Sequence, residues 1–119
     1  MSDSILSSIK KMLGPDEDYT HFDPDIITHI NTALAVLTEL GVGPADGFVI
    51  TDDSETWADF ISSDKLMKLV PTYVYLKVRL GFDPPSTAAV LESFERQAKE
   101  YEWRINVAAE REKWGLSPD

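Results

Sequence analysis

Imidazole and carboxylate groups set close together can hold a divalent metal or relay a proton, and His21, Asp23, Asp25 and His29 come nearest to such a set in this chain. On a helix beginning near Asp23, Asp25 and His29 stand four residues apart and are neighbours. Asp25, however, also lies where a carboxylate steadies the positive end of a helix, and a histidine one turn further on is an ordinary solvated or packed residue. Asp52, Asp53, Glu55 and Asp59 form a second set, suited by type to magnesium or to paired acid and base work. They sit at the start of a short apolar segment, where caps and first-turn acids belong, and capping is the stronger reading. The stretch GVGPADG, residues 41–47, has the glycines of a phosphate loop but no Gly-Lys-Ser/Thr after them. Serines and threonines are plentiful, yet no GxSxG elbow occurs and neither histidine has a recognisable serine and acid arrangement. The chain has no cysteine, which excludes a thiol nucleophile, a thiolate metal site and a disulfide scaffold. These residues predict no catalytic centre, no metal and no cofactor.

The elements that would carry those side chains are helices. Ser2 or Asp3 can cap a short first helix bearing Ile5, Leu6, Ile9 and Leu13, which Gly14-Pro15 stops. After an acidic connector, Asp16 to Phe22, Asp23 is placed to cap a second helix with Pro24 at its first position. Ile26, Ile27, Ile30, Leu34, Leu37 and Leu40 follow at helical spacing, and Gly41 ends the run. Residues 41–53 are rich in turn formers, and Phe48-Val49-Ile50 is too short a triplet to identify a strand. Thr51, Asp52, Asp53 or Ser54 is expected to cap a short helix with Trp57, Phe60 and Ile61 in the core. A helix from Asp64 to about Leu80 presents Leu66, Leu69, Val70, Tyr73, Leu76 and Leu80, with Pro71 predicting a kink or a break. Gly81-Phe82-Asp83-Pro84-Pro85 forms a stop, and a long helix runs from Ser86 or Thr87 to about Trp114. The expectation is an all-α bundle of four or five helices, with one domain over residues 1–114 and a short tail over 115–119.

The last helix has two apolar sides. Thr87, Leu91, Phe94, Ala98, Tyr101, Ile105 and Ala108 fall on a stripe of roughly 100°, while Trp103, Val107 and Trp114 lie roughly 150° to 170° from its centre. A core under the first side leaves the second to another helix or subunit, so Trp103, Val107 and Trp114 are the candidate interface.

Charge narrows the partners. The 119 residues carry a formal net charge of -10, and the balance is uneven: residues 1–64 sum to -11, residues 65–119 to +1. Only Lys10 and Lys11 in the first half could displace counterions from a nucleic acid. In the last helix Arg96, Lys99, Arg104, Arg111 and Lys113 alternate with glutamates, a pattern of intrahelical pairs and not a basic stripe that reads DNA. The acids Asp16, Glu17, Asp18, Asp52 and Asp53 are candidate surface or channel-facing groups. The longest uninterrupted apolar run, Ala33 to Leu37, is far short of the roughly 20 residues of a membrane span, and MSDSILSSIKK has no pattern of a secretory signal.

The stretches SILSSIKKMLG, YTHFDPDIITHINTALAVLTELGVGPADGF, YVYLKVRLGFDPP and ERQAKEYEWRINVAAE resemble the small head-tail connector, or head-completion, proteins of tailed phages and Gram-positive prophages. The resemblance extends from about Ser4 to Glu110. It implies four or five helices assembled as a ring beneath the portal, made in the host cytoplasm and placed at the head–tail junction of the virion. It also implies as partners the portal protein and the next neck or tail component, with the ring forming before or upon docking and DNA passing through without tight binding. No membrane and no enzymatic residue come with it. A helical adaptor or regulatory protein acting as monomer or dimer is the alternative.

Overall fold

Ser4 starts the first helix. Its hydroxyl accepts from the Ser7 amide at 3.1 Å, so the cap lies just beyond the expected Ser2 and Asp3. The computed structural model describes residues 4–14 and 20–113, and those two residues fall outside it. Helix α1 (Ile5–Leu13) buries Ile5, Leu6 and Ile9 and ends against Gly14. Its Lys10 is also buried, with Nζ 2.9 Å from Asp23 Oδ1.

That ion pair corrects one expectation. Asp23 is the first residue of α2 (Asp23–Glu39) and not its cap; Phe22 occupies the cap position without a side-chain hydrogen bond. The carboxylate is held by Lys10, where it joins α1 to α2 and still lies in the favourable first turn. Ile26, Ile30, Ala33, Leu34 and Leu37 face the core. At the far end Gly41 adopts φ +93°, with its amide bonded to Thr38 O and the Val42 amide bonded to Leu37 O. This pair of bonds is the Schellman closure, and the buried Val42 supplies its apolar contact.

From Val42 to Glu55 the chain is irregular, as its turn residues predict, and the described residues contain no strand. The loop is nevertheless pinned. Asn31 on α2 donates through Nδ2 to Ile50 O at 3.0 Å and accepts from Ile50 N at 2.8 Å, serving the backbone as a strand neighbour would. Replacing Asn31 with Ala should cost about 1–3 kcal/mol, because both polar groups of buried Ile50 lose their partner. Urea unfolding with an unchanged slope and a lower midpoint is the expected readout; an unshifted midpoint would mean the loop holds itself.

Helix α3 (Trp57–Phe60) is a single turn, and its cap is Thr56, not residues 51–54 as expected. Thr56 and Asp59 form a reciprocal capping box, which leaves the preceding acids to organise the loop. Trp57, Phe60 and Ile61 are buried, and the Trp57 indole donates to Ser8 on α1 at 3.2 Å. Helix α4 (Asp64–Phe82), capped by Ser63, runs unbroken through Pro71 and two residues past the expected end. Pro71 removes one amide donor, but Val70, Tyr73 and Val74 beside it are fully buried and hold both turns against the core. Gly81 is helical, and a Cβ there would lie 2.6 Å from His29 Nδ1, so the imidazole occupies the space of a side chain. Helix α5 (Ala88–Lys113) follows, with Thr87 accepting from the Val90 amide as a cap and so not serving the core stripe. Ala98, Ile105 and Ala108 are buried, and Leu91, Phe94 and Tyr101 half-buried, as their spacing requires. Helix α4 is the central element: α1, α2 and α5 all pack against it.

Candidate functional site

The four residues that could have formed a metal or proton-relay set are given to different contacts. Asp23 is paired with Lys10, and His29 lies beside Gly81 and tilts on Phe82 with ring centroids 6.4 Å apart. His21 meets Phe22 edge-on at 4.8 Å, and Asp25 is exposed. Among the described residues no three histidine or carboxylate groups come together in a metal-holding geometry.

The second acidic set is divided among backbone duties. Glu55 accepts from the amides of Thr51 and Asp52, and Asp59 from the amide of Thr56. Asp52 accepts from the hydroxyl and amide of Ser54, and these two bonds hold its carboxyl below the usual carboxylate range. Asp53 is exposed alongside it. Asp16, Glu17 and Asp18 lie outside the described residues.

The candidate interface is partly assembled. Trp103 is 68 % exposed, the highest value among the large apolar residues described. It shares a shallow groove of about 360 Å³ with Val107, which is half-buried; Trp114 lies outside the described residues. Two further contributions were not legible from the helix alone. Leu69 of α4, expected in the core, is half-buried and lines the same groove, and Lys65, Arg104 and Arg111 supply all of its charge. The four-residue step from Lys65 to Leu69 would have placed them on one face of α4, but only the crossing of α4 and α5 shows that this face meets Trp103. Arg104 also pairs with Glu100 one turn earlier at 2.7 Å, both side chains more than half exposed. Elsewhere between α4 and α5, Tyr73 on α4 is fully buried and donates to Glu102 Oε2 at 2.7 Å, locking the two helices. Burial first, and then the adjoining Glu102 carboxylate, push the Tyr73 phenol well above its ordinary value.

The profile of the phage connector protein family matches residues 5–112. The chain belongs to that family. The match begins with the first residue of α1 and stops one residue before the end of α5, so it takes in all five helices but for Lys113. No curated protein and no solved structure matches the chain. Membership in the phage connector family makes this a structural component of a phage particle, in contact with other head or tail proteins. None of the described helices is long and apolar enough to cross a membrane.

Proposed function

We propose that this connector joins the capsid portal to the next neck or tail component as a ring of identical subunits that extends the DNA channel. The observation that carries the reading is Trp103. An indole left two-thirds in water beside Leu69 and Val107 is the kind of anchor that assembly covers, since buried aromatic residues dominate interface energetics. The role asks for positioned surfaces and a channel, and for no catalytic group. The net charge of -10 supports passage of DNA without sticking, because too few cations are available in the acidic half to replace counterions.

Light scattering on eluting protein, alone and mixed with portal rings, tests the proposal. A particle many times 13.3 kDa, or co-elution with the portal, is the expected result. A monomer that ignores the portal would favour the adaptor or regulatory alternative. Trp103→Ala should weaken assembly by roughly thirtyfold, as loss of a central interface anchor does, and leave the melting temperature nearly unchanged. Lost melting stability with unaltered assembly would return Trp103 to a purely intramolecular role.

A further inference from the structure

The two most exposed large apolar residues among those described stand in opposite electrostatic settings. Trp103 lies with Leu69 and Val107 in the α4/α5 groove, whose charged residues Lys65, Arg104 and Arg111 are all cations. Val49, 62 % exposed, leads instead into the exposed carboxylates of Asp52 and Asp53. Between them Ile50 is fixed to α2 by Asn31, so the apolar tip and the acids are presented as one shaped knob. The knob sits against α1 and α2, where Asp52 and Asp53 share a surface hollow with Leu6, Pro24 and Ile27. The groove is on α4 and α5, so plug and socket belong to different parts of the subunit.

We propose that the groove receives the 49–53 loop of a second copy, with Val49 against Trp103, and Asp52 and Asp53 among Lys65, Arg104 and Arg111. The inference rests on the ring reading above and names its seam. Two grooves meeting face to face would bring like-charged linings together with no carboxylate offered by the other copy, whereas an acidic loop supplies two. A plug meeting a socket has the opposite sign on each side and uses different surfaces of each copy. Contacts of that heterologous kind repeat head to tail until the rotation closes, which an isologous contact cannot do beyond a dimer. The Arg104–Glu100 pair is a surface pair of adjacent turns, which costs little to exchange for a new carboxylate, and Lys65 and Arg111, which also make contacts within their own subunit, would share them with the incoming acids. The seam assigns Asp52 and Asp53 to the subunit boundary and away from the channel wall.

Charge reversal in the full-length protein tests it. Arg104→Glu with Arg111→Glu reverses the socket, Asp52→Lys with Asp53→Lys reverses the plug, and a third variant carries all four changes. Each reversed pair should weaken assembly by about a hundredfold or more, and the fourfold variant should regain the assembled mass. Thermal melting checks that every variant folds. Reversed pairs that assemble normally, or a fourfold variant as dissociated as its parents, would overturn the seam while leaving the ring intact. Normal assembly of the plug variant with altered DNA passage would move the acids to the channel and overturn it likewise. If the unaltered protein never assembles, alone or on portal rings, the ring reading fails and the seam with it. A second measurement uses the absence of native cysteine. Val49→Cys with Val107→Cys should give, on mild oxidation, a ladder of covalent multimers, whereas either change alone stops at dimers; no ladder from an assembled ring overturns the pairing.

Discussion

Tyr73→Ala should remove about 3–5 kcal/mol, the cost of emptying a large aromatic site in a packed core. A domain of this size has a total stability of roughly 5–15 kcal/mol, so the variant should lose a large share of it and unfold at a much lower urea concentration and temperature. Tyr73 is fully buried, and its hydroxyl is the donor that satisfies Glu102 between α4 and α5. Tyr73→Phe separates the two contributions: it keeps the ring and should cost about 1–3 kcal/mol for the partner left behind. The same residue predicts an alkaline limit. Its folded pKa is raised above the ordinary 10.0, so below pH 10 both states are protonated and the contribution is complete. Above pH 10 only the unfolded chain releases this proton, and stability falls by up to about 1.4 kcal/mol per pH unit. Chemical unfolding at several alkaline pH values should show a steeper loss for the natural protein than for Tyr73→Phe; parallel losses would assign the slope to other groups.

Gly43→Ala should cost about 2–5 kcal/mol, through two effects that add. Gly43 has φ +78°, which a residue with a Cβ adopts at a cost of roughly 1–2 kcal/mol. A Cβ at this position would also stand 2.5 Å from Cε1 of Phe60, a ring that is buried and cannot swing into water. Overpacking of that kind costs roughly 1–3 kcal/mol. Gly14 is the internal control: its backbone is extended and an added Cβ meets nothing within 4 Å. Gly14→Ala should therefore leave the unfolding midpoint where it is or raise it slightly. Equal effects at the two glycines would mean that the α3 turn shifts to make room.

The helices were legible because their apolar residues repeat at 3.6-residue spacing, and the five segments fall where that repeat places them. What was misplaced was the identity of caps and ends. Asp23 is a good cap by type, but a buried lysine 13 positions earlier claims its carboxylate, and no local rule contains that competition. Thr51 to Ser54 are equally good caps by type; Thr56 prevails because Asp59 stands three residues on and completes the box. Gly81 reads as a stop, yet it is helical because α2 brings His29 into the space beside it. The candidate interface was half legible for a related reason. The far side of α5 can be computed from the residue repeat, so Trp103 and Val107 were accessible to sequence reasoning. Leu69 and the cationic rim depend on how α4 crosses α5, and Leu69 at a core-like position gave no sign that it would remain half-open. Of the acids of residues 52–59, Asp59 serves the cap as its position suggests, while Asp52 and Glu55 bind backbone amides of the loop before it and Asp53 is exposed.

The attachment of α1 to the loop before α3 has a consequence for synthesis. Ile5 donates its amide to Glu55 O, and Ser8 accepts from the Trp57 indole, so the first helix is seated by residues about fifty positions downstream. Translation at roughly 5–20 residues per second puts several seconds between the appearance of these partners. A nine-residue helix is too short to persist alone in water, and during that interval Ile5, Leu6 and Ile9 lack the cover that Trp57 and α4 supply. Docking of α1 therefore cannot lead the folding of the nascent chain; it follows the arrival of Trp57 and the emergence of α4, on which α1 packs. Helix α1 is thus made before the residues that seat it and folds after them, and a pause in translation before α4 would leave its apolar face open to chaperones.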